Sequence, residues 1–171
     1  MKKIIVHYPF KIDRCRAAAS QLRPLKMVDA FESIGYEVYL IEGYGKERKA
    51  QIKRIKQEVE KGTRFEFVYS ESNTTPTLLT EKHHYPTYPC LDFSFFRYCK
   101  KHAIPIGLFY RDIYWCFPEN NKGIIRKMMK LFYKYDLHQY NKYVSTLFVP
   151  SVEMVGHIPF KFHIPVIELY P

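Results

Sequence analysis

The stretch IPIGLFYRDIYWCFPE, residues 104–119, changes character halfway along. It opens as a compact apolar run of strand length. Then Arg111 and Asp112 arrive together, followed by Tyr114, the only tryptophan of the chain (Trp115) and Phe117. Strand interiors exclude charge, and a turn has little use for so many rings. The Arg-Asp pair therefore marks the end of a buried strand and the start of a segment with another task.

Working outward, strand and helix signals alternate along the whole chain. Upstream, KKIIVHYPF (2–10) reads as a buried strand ending at Pro9. RPLKMVDAFESIG (23–35) sets Leu25, Val28 and Phe31 on one helical face, with Gly35 as a stop. YEVYLIEG (36–43) alternates as a strand. KERKAQIKRIKQEVEKG (46–62) carries a narrow apolar stripe of Ile52, Ile55 and Val59 among charges, so a surface helix closed by Gly62 is expected. FEFVYSES (65–72) is the next strand. In TTPTLLTEKHH (74–84) a short helix is expected, with Thr75 as N-cap and Pro76 at its first position. Asp92 is placed to cap the helix FSFFRYCKKHA (93–103). Downstream, NKGIIRKMMKLFYKYDLHQYNKY (121–143) predicts a long helix. Its apolar face is Ile124, Ile125, Met128, Leu131, Phe132 and Tyr135, and its basic row is Lys127, Lys130 and Lys134. A strand (145–151), a short helix (152–158) and a last strand (165–171) complete the pattern.

Such alternation implies an α/β fold: a Rossmann-like, doubly wound parallel sheet of about six strands with helices on both faces, in one domain over residues 1–171. Ligands of such sheets bind beyond the carboxyl ends of the strands, at the point where the strand order reverses. The residues just after each strand are thus the functional candidates. Arg111 and Asp112 follow the fourth strand, which is expected close to that switch point.

The chemistry available there is specific in what it excludes. The first loop, KIDRCRAAASQLRP (11–24), has no glycine, so a G-x-G-x-x-G dinucleotide fingerprint is absent, and no P-loop sequence occurs elsewhere. The loop instead offers Arg14, Arg16 and Arg23 near a helix start, either as an anion site or as a solvated basic loop. Glu71, followed by Ser72, sits where a carboxylate receives sugar hydroxyls or caps the next helix. Asp112 is able to orient a substrate hydroxyl and Arg111 to grip phosphate with its fork; alternatively the two form an internal ion pair that ends the strand. Tyr114 and Trp115 are suited to stacking on a sugar or base.

The net charge of +10 calls for an anionic partner. The basic row of the long helix is suited to an anionic membrane surface or to a solvated edge. The N-terminal apolar run is too short for a signal peptide, and no stretch reaches the length of a membrane span, so a cytosolic location is expected. Cys15, Cys90, Cys99 and Cys116 are scattered, with no Cys/His cluster at ligand spacing, and no metal site is expected.

The β-α ladder, the helix in QLRPLKMVDAFESIGYEV (21–38), YSESNTTPTLLTEKHH (69–84) and above all GLFYRDIYWCFP (107–118) resemble the N-terminal domain of bacterial GT-B glycosyltransferases of the retaining group, which act on polysaccharide and glycolipid acceptors. The resemblance implies one of two facing Rossmann-like domains, this one holding the acceptor and the other the nucleotide-sugar donor. Asp112 stands where the family often has the acid of a His-Asp or His-Glu pair, whereas Arg111 replaces the histidine. The family's Gly-Gly turn after the first strand is RAAASQ here (16–21), and its donor domain with the Glu-x7-Glu motif has no counterpart in these residues. The resemblance therefore implies that this half requires no cofactor of its own, binds an acceptor, meets the nucleotide sugar only with a second domain and does not turn over alone. It also implies work at the inner membrane face. The rival reading is a basic Rossmann-like module for single-stranded nucleic acid, though no nucleic-acid motif appears.

Overall fold

The computed structural model describes residues 1–15, 18–117 and 124–170. Six parallel strands form one sheet: β1 (Lys2–His7), β2 (Tyr36–Ile41), β3 (Val68–Glu71), β4 (Ile106–Phe109), β5 (Thr146–Val149) and β6 (Val166–Glu168). Between them lie α1 (Ala19–Ser33), α2 (Gly45–Glu60), α3 (Leu91–Lys101), α4 (Ile124–Tyr143) and the short α5 (Val152–Gly156). The spatial order is β2-β1-β3-β4-β5-β6, with every neighbouring pair parallel. This is the Rossmann-like α/β architecture that the alternation implies.

The strand order reverses between β1 and β3, so the crevice opens there. β4, which carries the opening stretch of sequence, pairs with β3 and so lies next to the reversal. Since β-α-β crossovers are right-handed, the reversal sends α1 to one face and the later helices to the other. Packing follows that division. Ile52 and Ile55 of α2, Phe93 and Phe96 of α3, and Leu137 and Tyr140 of α4 join Ile5, Val68 and Leu108 in one core. On the opposite face Leu25, Met27, Val28 and Phe31 of α1 cover Ile4, Val6 and Tyr69. Beyond α1 that second face is open as an apolar groove of about 410 Å³, bounded by Phe31, Phe67, Phe148 and Leu169. Gly107 is the groove's floor, because a Cβ there would lie 2.8 Å from the Phe148 ring.

Several local expectations are corrected. The 74–84 segment forms only one 3-10 turn, Thr77–Leu79, because Pro76 is extended (ψ 144°) and takes the cap position itself, without a side-chain cap. α3 begins at Leu91, one residue before Asp92, which turns inward instead of capping. On α4, Met128 and Leu131 are exposed, while Asp136, Leu137 and Tyr140 face the core. The buried stripe that is described lies in the C-terminal half of the helix, and the side chains of Ile124 and Ile125 lie outside the described residues. The first residues of the segment expected as this helix, 121–123, lie outside the described residues.

Candidate functional site

Glu71 ends β3 at the switch point and is wholly buried. It does not cap the following turn. Its Oε1 accepts from Arg23 Nε (3.2 Å) and from the Tyr69 hydroxyl (2.8 Å), and its Oε2 accepts from Arg111 Nη2 (2.9 Å). One carboxylate thus joins α1, β3 and the end of β4. Arg23 stacks on the Phe109 ring, 4.0 Å from its centre, and Arg111 lies over Phe10 at 5.6 Å. The two arginine side chains are 17% and 14% exposed, so neither is sealed, and with one carboxylate between two guanidiniums the cluster is net positive. Burial, with the Glu71 charge next, pushes the Tyr8 and Tyr69 hydroxyls well above their ordinary range, so both are neutral donors here.

The Arg-Asp pair of the sequence is therefore not a pair with each other. Arg111 turns back to Glu71, and Asp112 accepts instead from the Thr74 hydroxyl at 2.9 Å. The loop after β3 is tied to both: Ser72 Oγ accepts the Arg111 backbone N–H at 3.0 Å, and Ser72 N–H donates to the Phe109 carbonyl. Ser72 is buried, which leaves it as the fastening between the strand ends. Of the two aromatic candidates, Tyr114 is exposed, whereas Trp115 is buried. Its ring stacks on Tyr133 at 5.0 Å and its Nε1–H donates to the Tyr110 hydroxyl. Arg14 lies apart from Arg23, paired with Glu42 at the end of β2, and lines a crevice with Lys11, Asp13 and Tyr44. Arg16 lies outside the described residues. On α4, Lys127 and Lys134 are exposed beside Met128 and Leu131, while Lys130 is half-buried near Cys116.

A second polar cluster lies directly beneath: His7 and Ser70 stand at strand ends, where candidates are expected, but their partners Asp92 and Arg48 are not legible as such in the sequence. His7 at the end of β1 faces Ser70 of β3 in register, and Nδ1 meets Ser70 Oγ at 2.9 Å. His7 Nε2 reaches Asp92 Oδ1 at 2.9 Å, and Arg48 grips both oxygens of Asp92 at 3.0 and 3.1 Å. Burial pushes Asp92 upward, but the His7 hydrogen bond and the Arg48 charge outweigh it and hold the carboxyl below its ordinary range. An ionised carboxylate only accepts, so His7 Nε2 carries a proton and donates it. Ser, His and Asp in a chain suggest a nucleophile. Here, however, all are buried and the space beside Ser70 has no room for water, so no substrate carbonyl reaches the hydroxyl. The cluster is a strut between β1, β3, α2 and α3.

Among the described residues no three His, Cys, Asp or Glu side chains gather as a metal site, and no helix is long and apolar enough to cross a membrane. The chain matches no known protein-family model and no curated protein.

Proposed function

We propose that this chain is the acceptor-binding half of a glycosyltransferase acting on a polysaccharide or lipid-linked acceptor at the cytosolic membrane face. The observation that carries the reading is the Arg23-Glu71-Arg111 cluster at the switch point, with Asp112 and the exposed Tyr114 following it. The resemblance of GLFYRDIYWCFP to the GT-B acceptor domain falls on this same segment. In this reading the guanidiniums of Arg23 and Arg111 hold an anionic group of the acceptor, and Asp112 orients its attacking hydroxyl. Tyr114 gives a ring face to a sugar. Ser72 fixes the end of β4, and Glu71 holds the two arginines at their spacing. The nucleotide sugar binds in the facing half, so the purified chain alone transfers no sugar. Lys127 and Lys134, with Lys130 and the exposed Met128 and Leu131, favour an anionic bilayer beneath α4.

Joining the chain to the donor-binding half of a retaining GT-B enzyme tests this. The joined protein is expected to transfer sugar to an acceptor that the donor half alone leaves untouched, and Asp112→Asn is expected to reduce that transfer at an unchanged melting temperature. Transfer by the isolated chain, or no gain on joining, contradicts the reading.

A further inference from the structure

Asp136 lies on the core side of α4, and its environment differs from that of every other buried acid described. Only 4% of its surface is exposed. Oδ2 accepts the backbone N–H of Thr77 at 2.7 Å, while Oδ1 is, among the described residues, the one buried side-chain polar atom with no hydrogen-bond partner. Thr77 opens the 3-10 turn of the loop after β3, and its hydroxyl meets the Tyr140 hydroxyl at 3.1 Å. A half-satisfied carboxyl therefore forms the innermost attachment of the 72–80 loop to α4.

We propose that Asp136 is a pH-sensitive latch: protonated, it holds the Thr77 turn of the 72–80 loop against α4, and ionised, it drives that turn away from the helix so that water reaches Oδ1. An ionised carboxylate oxygen without a donor is costly in an apolar interior. Among the described residues no cation acts on Asp136 to relieve it. On α3 the nearest charge is Asp92, itself ionised, with Arg48 and His7 already bound to it. The end of β4 contributes Tyr110, and beyond it Asp112; α4 itself adds Tyr133, Tyr135 and Tyr140. Burial first, opposed by the Thr77 hydrogen bonds, pushes the Asp136 carboxyl up to about 7.

The loop is itself packed, with Ser72, Thr77, Leu79 and Thr80 buried and Ser72 fastened to the strand ends, so the opening is local, at the turn that begins at Thr77. α4 is anchored in the core by Leu137 and Tyr140, both buried. The loop's other ties to its surroundings include Thr74 to Asp112 and the Tyr133 hydroxyl to the Thr74 carbonyl at 2.6 Å. Those same residues hold Asp112 in place. If the acceptor-site reading is right, the latch regulates that site, but the latch itself needs no ligand to be observed.

The direction follows from linkage. A carboxyl near 7 when closed and near its ordinary value of 3.8 when open favours opening as pH rises between those values, and no further above the higher one. The test is hydrogen exchange and carboxyl ¹³C shifts on the whole labelled chain from pH 5 to 8. The Asp136 carboxyl carbon is expected to titrate near 7. The protection factor of the Thr77 amide is expected to fall about tenfold per pH unit between pH ~5 and ~7, then level off. In Asp136→Asn the Thr77 profile is expected to be flat. An Asp136 carbon titrating near 4, a flat Thr77 profile in the native chain, or the same slope in Asp136→Asn each overturns the latch. Should the variant fail to fold, the first two measurements on the native chain decide alone.

Discussion

Two buried carboxylates, Asp92 at the start of α3 and Glu71 at the end of β3, both bind arginine, yet they serve different ends. Asp92 takes both arms of Arg48 and the His7 ring, and every member is sealed: the Arg48 and His7 side chains are 2% and 1% exposed. Glu71 is equally buried, but its two arginines come from different elements and reach solvent at the crevice. The first cluster spends its charge inside the fold and offers none. The second orders positive charge at the point where a doubly wound sheet binds its ligands. What an ion pair does depends on where its outer groups end, not on its chemistry.

The comparison is broken most severely at Asp92. Asp92→Asn strands Arg48 as a buried unpaired cation, which typically costs about 3–5 kcal/mol, a large share of a domain's roughly 5–15 kcal/mol. Urea unfolding is expected to register a loss of that size; a loss below about 1 kcal/mol removes the strut. Glu71→Gln is expected to cost less, about 1.5–3 kcal/mol, because Arg23 and Arg111 already reach water. Equal losses at both positions would erase the distinction.

A third acid sharpens it by having the opposite sign. Asp92, held down, stabilises the fold above its ordinary value near 3.8 and loses that contribution as pH falls below it. Asp136, pushed up to about 7, contributes fully below 3.8 and loses its contribution as pH rises through 7. Asp136→Asn is therefore expected to raise stability at pH ~8 by on the order of 1–2 kcal/mol and to leave it nearly unchanged at pH ~4, as thermal melts at the two values would show. A variant less stable at pH ~8 contradicts the sign. The smallest effect is at Asp112, which is held by Thr74 alone among the hydrogen bonds described. Asp112→Asn is expected to change stability by less than about 0.5 kcal/mol.

The six strands and the long helices are legible in the sequence because each rests on local periodicity and a nearby stop, such as Gly35 or Gly62. Strand order is not, since no local pattern says which strands are neighbours. The sequence therefore places Arg111 near the switch point but does not show that its partner is Glu71 of the neighbouring strand. Arg48 and Asp92 were hidden in different ways. Arg48 lies in a run of surface charges, yet it stands four and seven residues before the buried Ile52 and Ile55, on the inward stripe. Asp92 keeps the same spacing to Phe96 and Cys99. Charge at a core-facing position was the available signal, and its partner, 44 residues away in sequence, was not.

In the proposed reading the Glu71 cluster, and not the Asp92 cluster, faces a ligand. The direct measurement is a ¹H-¹⁵N titration of the chain with mono- and disaccharide glycosides and their phosphates, run beside a single-stranded oligonucleotide. Saturable shifts are expected at Arg23, Ser72 to Thr74 and Arg111 to Trp115 with a glycan or its phosphate, weakened in Arg111→Ala. Shifts confined to other surfaces, or saturable binding of the oligonucleotide alone, would contradict it.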